Sequence, residues 1–209
     1  GVRLVGSEMC IRDSSDTVAK DSSPATTAAA GSRDNTPVVL TGSADGTVTY
    51  GNDSVTVDAS HTEEGYLMVS YSGSNSKVKL QITGSDEITY TYNLHDGYET
   101  FPLTSGSGSY TVGVFENIEG TSYSTLFTQA IDVTIQDEFG PYLYANQYVN
   151  FSADSKVISK AMELSASAND DLEVIENVYN YIITNFTYDY DKAASVQSGY
   201  LPDVDDVLA

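Results

Sequence analysis

One thiol, two imidazoles and two crowded runs of carboxylates are the groups in this chain whose types could do chemistry. Cys10 is the only cysteine, and His61 and His95 are the only histidines. A cysteine nucleophile needs a base within hydrogen-bond reach and a third group that orients the base. His61 stands in the turn Ser60-His61-Thr62 and His95 beside Asp96-Gly97, with no cysteine near either. Both are expected to be turn histidines, and no catalytic residue is assigned. The acidic runs raise calcium instead. Asp189 and Asp191 would share one face of an extended segment, and Asp203, Asp205 and Asp206 crowd a helix start. Calcium sites converge about six or more oxygens from a shaped loop, and the chain has no D-x-D-x-D-G run closed by a glutamate. Asp203 therefore reads as a helix N-cap, with Asp205 and Asp206 as partners of the helix dipole. No metal and no cofactor is expected. The 16 tyrosines pose a question of sugar binding. Most fall on what looks like the buried phase of strands or helices, so core packing is the expectation and a saccharide platform the lesser alternative.

Cys10 is read from its surroundings. The segment GVRLVGSEMCIRDS, residues 1–14, resembles the translation of a sequencing-adaptor remnant of the kind found at the ends of assembled environmental contigs, so it is set apart from the fold. As a lipid acceptor Cys10 would need small residues and an apolar stretch before it, whereas Glu8 and Met9 precede it. With it set aside no disulfide contributes to stability. Acidic residues outnumber basic ones 30 to 9, a net charge of -21 that argues against nucleic acid or an anionic membrane surface as partner. No apolar run approaches the roughly 20 residues that span a bilayer, and no signal-peptide core is present. The signal of an exported protein would lie outside these residues.

The elements that would position any site follow from composition and period. Residues 15–36 are almost wholly Ser, Thr, Ala and Asp, too poor in apolar surface to offset ordering entropy, which predicts a disordered tether. Residues 37–136 turn to period two. Val78, Leu80 and Ile82 alternate with Lys77, Lys79 and Gln81, Ile88, Tyr90 and Tyr92 with Thr89 and Thr91, and Ile131, Val133 and Ile135 with Asp132, Thr134 and Gln136. Further β-type runs are Val38 to Thr41, Thr47 to Tyr50, Ser54 to Ala59, Tyr66 to Tyr71, Glu99 to Leu103 and Tyr110 to Phe115, separated by Gly/Asn/Asp/Ser turns. Short strands at this spacing predict an antiparallel β-sandwich of about 100 residues. Gly106-Ser107-Gly108-Ser109-Tyr110 looks like the tyrosine-corner approach to a strand of immunoglobulin-like domains, in which the phenol bonds back to the preceding turn.

From Phe139 the period becomes helical. Gly140-Pro141 ends the sandwich and Tyr142, Leu143, Tyr144 and Tyr148 form an aromatic connector. Ser152 is the expected cap of a helix from Ala153 to about Ala168. Asn169 or Asp170 caps a second, whose apolar positions are Leu172, Ile175, Val178, Tyr179, Ile182, Ile183 and Phe186. A face that apolar requires a sizeable partner.

The order of a helix ending in Asn185-Phe186-Thr187-Tyr188-Asp189, a loop, then Asp203-Val204-Asp205-Asp206-Val207-Leu208, resembles the entrance to the core of the transglutaminase-like superfamily, papain-like cysteine enzymes of bacteria. The resemblance covers about Tyr142 to Ala209. It implies that residues 137–209 are the first part of an α+β core, with the Asp170 to Asn185 helix beside the one that bears the nucleophile. It also implies that the nucleophilic cysteine, its histidine and an orienting acid come after this region, so these residues alone should be inactive. The whole would be an exported cysteine transferase or peptidase, extracellular or at the cell surface, acting on amides of protein or cell-wall peptides. The alternative is a non-enzymatic surface protein in which the sandwich is an adhesion or ligand-binding module.

Overall fold

The alternation along Val78–Thr83 buries Val78, Leu80 and Ile82 and leaves the residues between them half-exposed. A computed structural model, which describes residues 31–208, shows what they are buried against. Two four-stranded antiparallel sheets pack together, and three helices follow. One sheet has the order β1-β2-β3-β6, formed by Thr49–Gly51, Val55–Asp58, Tyr66–Tyr71 and Gly97–Pro102. The other has the order β5-β4-β7-β8, formed by Thr89–Leu94, Val78–Thr83, Gly108–Glu119 and Ser122–Val133. The core between them is supplied by both: Val55, Val57, Leu67, Val69 and Phe101 from the first, Leu80, Tyr92, Tyr110, Val112 and Val114 from the second. Each large apolar side chain so buried contributes roughly 1.5–3 kcal/mol of transfer free energy.

Several boundaries differ from the sequence pattern, each for a local reason. Val38 to Thr41 forms no strand. Leu40 makes one isolated parallel bridge to Tyr144 and Val38 is exposed, because this stretch lies along the connector rather than in either sheet. Along β5 only Tyr92 and Leu94 are buried, while Ile88 and Tyr90 lie at the margin, exposed. The β7–β8 hairpin runs from Gly108 to Val133, much longer than Tyr110 to Phe115 and Ile131 to Ile135 predict. Its distal half carries few buried side chains, so it lacks the alternation by which a half-buried strand is recognised.

Helix α1 spans Lys156–Ser165, three residues later than a Ser152 cap would start it. Helix α2 spans Asp171–Asn185 and is capped as expected by Asp170, whose carboxylate accepts the Glu173 N–H at 2.9 Å. Helix α3 spans Tyr190–Ser195, where an extended segment was expected. Asp189 caps it, accepting the Lys192 N–H at 2.8 Å, and this local bond outweighs the extended preference of the aromatic run. The last element, Asp206–Leu208, is a single 3-10 turn. Gly31 to Asn35, the end of the expected tether, is bonded to the α1–α2 connection: the Gly31 N–H donates to the Ala166 carbonyl, Arg33 pairs with Asp171 at 2.7 Å, and the Asn35 amide donates to the Ser165 carbonyl at 2.7 Å. Residues 1–14, the rest of the tether and Cys10 lie outside the described residues. Among the described residues no helix is long and apolar enough to cross a membrane.

Candidate functional site

Three places on the molecule bring together groups that could recognise or transform something: the two histidines, an apolar face on the helices, and a cleft of tyrosines.

His61 is the more elaborate histidine. Its Nδ1 faces Glu64 Oε2 at 2.9 Å, and its Nε2 faces both Asp45 Oδ2 at 3.0 Å and Ser43 Oγ at 3.1 Å. Ser43, His61 and Glu64 thus align in the order of a hydrolase triad, a grouping hidden in the sequence because Ser43 and His61 belong to separate turns. The fourth group decides its chemistry. The Asp45 contact is favourable only when Nε2 donates, and a nitrogen that donates has no lone pair to take the serine proton. The cluster is a clamp. It holds the Asp45-Gly46 turn against the 3-10 turn Thr62–Glu64, and the imidazole stacks on Tyr66, 5.3 Å between ring centres and 9° between planes. Tyr66 packs on Tyr144 at 4.4 Å, and the Tyr144 hydroxyl donates to Glu64. The connector is thereby fastened to the sandwich.

Below the clamp lies Asp58, almost wholly buried. Its two oxygens accept the N–H groups of Gly46 at 2.6 Å and Ser60 at 2.9 Å. Burial alone would raise its carboxyl, but the Ser60 and Gly46 hydrogen bonds and nearby His61 prevail and hold it below the usual carboxylate range. His95 is simpler. Its Nδ1 and its backbone N–H both meet Glu99, at 3.0 and 2.8 Å, and the Gln147 amide donates to the same carboxylate at 2.8 Å. Among the described residues no cysteine stands beside it.

The acidic runs are structural where the described residues show their bonds. Asp189 caps α3, so Asp189 and Asp191 do not share a face of an extended segment. Asp203 accepts the Asp205 N–H at 2.9 Å in a local turn instead of capping an α-helix. Asp205 leaves its own element altogether and accepts the N–H groups of Lys156 and Val157, at 3.0 and 3.1 Å. It serves α1, not the helix dipole of its own segment.

The helices present the second feature. Helix α2 meets α1 through Asn177, which donates to the Leu164 carbonyl at 2.9 Å, and through Tyr181, whose ring lies under the Lys160 ammonium. The stripe formed by Leu172, Ile175, Tyr179 and Ile183 points elsewhere, and Ile182 stands at its border with the α1 side. All five are exposed, Leu172 at 72% and Ile175 at 63%. Helix α2 is apolar around more than half its circumference, and α1 covers only one side. Along the seam runs an apolar groove of about 360 Å³, lined by Val157, Ala161 and Leu164 of α1, Val178, Ile182 and Phe186, and Val204 and Leu208.

The third feature corrects the expectation that the tyrosines are core. Only Tyr66, Tyr71, Tyr92 and Tyr110 are buried, while Tyr90, Tyr98, Tyr142, Tyr148, Tyr179, Tyr188, Tyr190 and Tyr200 are exposed. Four of them line one cleft of about 460 Å³ where the connector crosses the open seam between β5 and β6. Tyr90 and Tyr92 come from β5, Tyr142 and Tyr148 from the connector, and Thr91, Pro102 and Thr104 complete it. The rings of Tyr92 and Tyr148 lie 5.9 Å apart at 40°. Burial, with Tyr148 and Tyr90 adding to it, pushes the Tyr92 phenol up to about 12.

Comparison of the chain with protein-family models, with curated proteins and with solved structures gives no match.

Proposed function

We propose that the chain joins an immunoglobulin-like accessory sandwich to the first helices of a transglutaminase-like core, and that the protein is an exported cysteine enzyme acting on side-chain or peptide amides of proteins or cell-wall peptides. The single observation that carries this is the uncovered stripe on α2. Five large apolar side chains at helical spacing are exposed beside or at the edge of an apolar groove, a face of the kind that a further packed layer covers. In the family that the sequence resembles, the helix corresponding to α2 lies against the one that carries the nucleophile. The Asp189-capped turn after α2 and the Asp205 bond to the start of α1 supply the rigid approach such a layer needs. For the sandwich, support comes from the strand order and from Tyr110, whose hydroxyl donates to the carbonyls of Leu103 and Gly106 at 3.0 and 2.8 Å as in a tyrosine corner.

The chemistry would be thioester formation by a thiolate that displaces ammonia or an amine, with a histidine as base. None of its groups is among the described residues. The test is to read the encoding gene on both sides of this region and assay its product for ammonia release from a glutamine peptide. Activity that iodoacetamide and a Cys→Ala substitution abolish is expected, with none from residues 1–209 alone. A gene with no cysteine, histidine and acid in that order, or a thiol-independent product, would sink the proposal. One observation favours a second reading, a ligand-binding surface protein: the sandwich has its own aromatic cleft.

A further inference from the structure

We infer that the tyrosine cleft between β5 and the connector is a binding site for a neutral polysaccharide chain. Among the described residues its lining includes no charged side chain, and the chain's net charge of -21 repels polyanions. With no ion pair on offer, the cleft suits an uncharged ligand. Its groups are of two kinds only, flat apolar surfaces and hydroxyls. Tyr90, Tyr142 and Tyr148 are each more than two-fifths exposed, and Thr91 and Thr104 stand beside them. A pyranose offers the matching pair, a C–H face that packs on an aromatic ring and a rim of hydroxyls that exchange hydrogen bonds with phenols. Tyr92 sits at the floor, buried, with its ring packed against Phe101, centres 4.9 Å apart.

The cleft is built by the sandwich and connector, so this inference stands or falls apart from the enzymatic reading of the helices. The chain has no tryptophan, and its intrinsic emission therefore reports the tyrosines. The experiment titrates the full chain with cellohexaose, xylohexaose, mannohexaose and chitohexaose, with a proline decamer and with heparin, following emission and calorimetric heat. Tyr90→Ala and Tyr148→Ala remove exposed rings, Tyr92→Phe removes only a hydroxyl, and Tyr179→Ala on α2 is the control. Binding of at least one neutral hexasaccharide, weakened about tenfold by Tyr90→Ala or Tyr148→Ala and unchanged by Tyr179→Ala, is expected from the loss of one stacked ring. Circular dichroism shows that each variant is folded. No binding by any of the four sugars, binding undiminished in both cleft variants, or binding of the proline decamer at these tyrosines instead would each overturn the assignment.

Discussion

Asp205 and Lys156 lie 49 positions apart, and the carboxylate of the first receives the backbone N–H that opens the helix begun by the second, at 3.0 Å. The other oxygen takes the next amide, that of Val157, at 3.1 Å. Ser155, in the cap position, makes no side-chain bond to the helix. A helix whose cap is donated from the far end of the helical region is tied to that region's closure. Asp205→Ala should cost α1 about 1–2 kcal/mol, the range of a lost N-cap, whereas Ser155→Ala should stay within about 0.5 kcal/mol. Amide exchange over residues 156–160 separates the two. Unchanged protection in Asp205→Ala would show that the contact contributes nothing.

Tyr110 holds the turn before β7. Its ring is fully buried and its hydroxyl serves two carbonyls, those of Leu103 and Gly106. Tyr110→Phe keeps the ring and removes the one proton that the two carbonyls share. Urea unfolding should show a loss of about 1–3 kcal/mol with an unchanged slope. A loss below the error of the fit would mean that the carbonyls are satisfied otherwise.

Much of this was legible beforehand, and the reasons for the rest are physical. Alternation located β4, whose one face is buried, while β2, β3 and the core end of β7 were marked as β-type runs between turn residues, β3 being buried on both faces. The cap of α2 was narrowed to Asn169 or Asp170, since an N-cap bond spans three residues, and the structure selects Asp170. The Asp205 cap, the Ser43–His61–Asp45 contacts and the tyrosine cleft were not legible, because each joins residues from separate turns or layers. The tyrosines misled for a related reason. Tyr90 and Tyr92 share one phase of β5, yet the strand lies at the edge of its sheet, so one ring is enclosed and the other stands in the cleft mouth.

Tyr92 makes the alkaline limb of stability testable. Its phenol titrates at about 12 in the folded chain against 10.0 when free. The folded value is raised, so the linked stability is fully present below pH 10 and is lost as pH rises toward 12, by about 2–3 kcal/mol in all. Burial shifts Tyr110 in the same direction. Absorbance at the phenolate band should show a late-titrating class that shrinks in Tyr92→Phe, and the steepness of alkaline unfolding should fall with it. An unaltered late class would place the ionisation elsewhere.

Asp58 governs the acid limb with the opposite sign. Its folded carboxyl lies below the free value of 3.8, so its contribution is complete above about pH 4 and disappears as pH falls through the folded value. Asp58→Asn should flatten the stability profile below pH 4 while lowering stability at pH 7, since an amide presents one acceptor oxygen where the Gly46 and Ser60 N–H groups need two. Chemical denaturation between pH 2 and 7 measures both effects. An acid limb as steep as that of the parent chain would remove Asp58 from the account.

The stripe on α2 separates the two sides of that helix. Ile175 is exposed, whereas Val178 lines the groove toward α1. Ile175→Lys should change stability by no more than about 0.5 kcal/mol and should reduce any self-association, because it removes apolar surface that none of the described residues covers. Val178→Lys places an unpaired ammonium against Leu164 and Phe186 and should cost about 2–3 kcal/mol. If α2 is one layer of a cysteine-enzyme core, the order reverses in the protein that carries the whole core, where Ile175→Lys becomes as damaging as Val178→Lys. Thermal unfolding of both variants in both contexts decides it. Equal tolerance of Ile175→Lys in the larger protein would leave the stripe without a covering layer and remove the main support for the enzymatic reading.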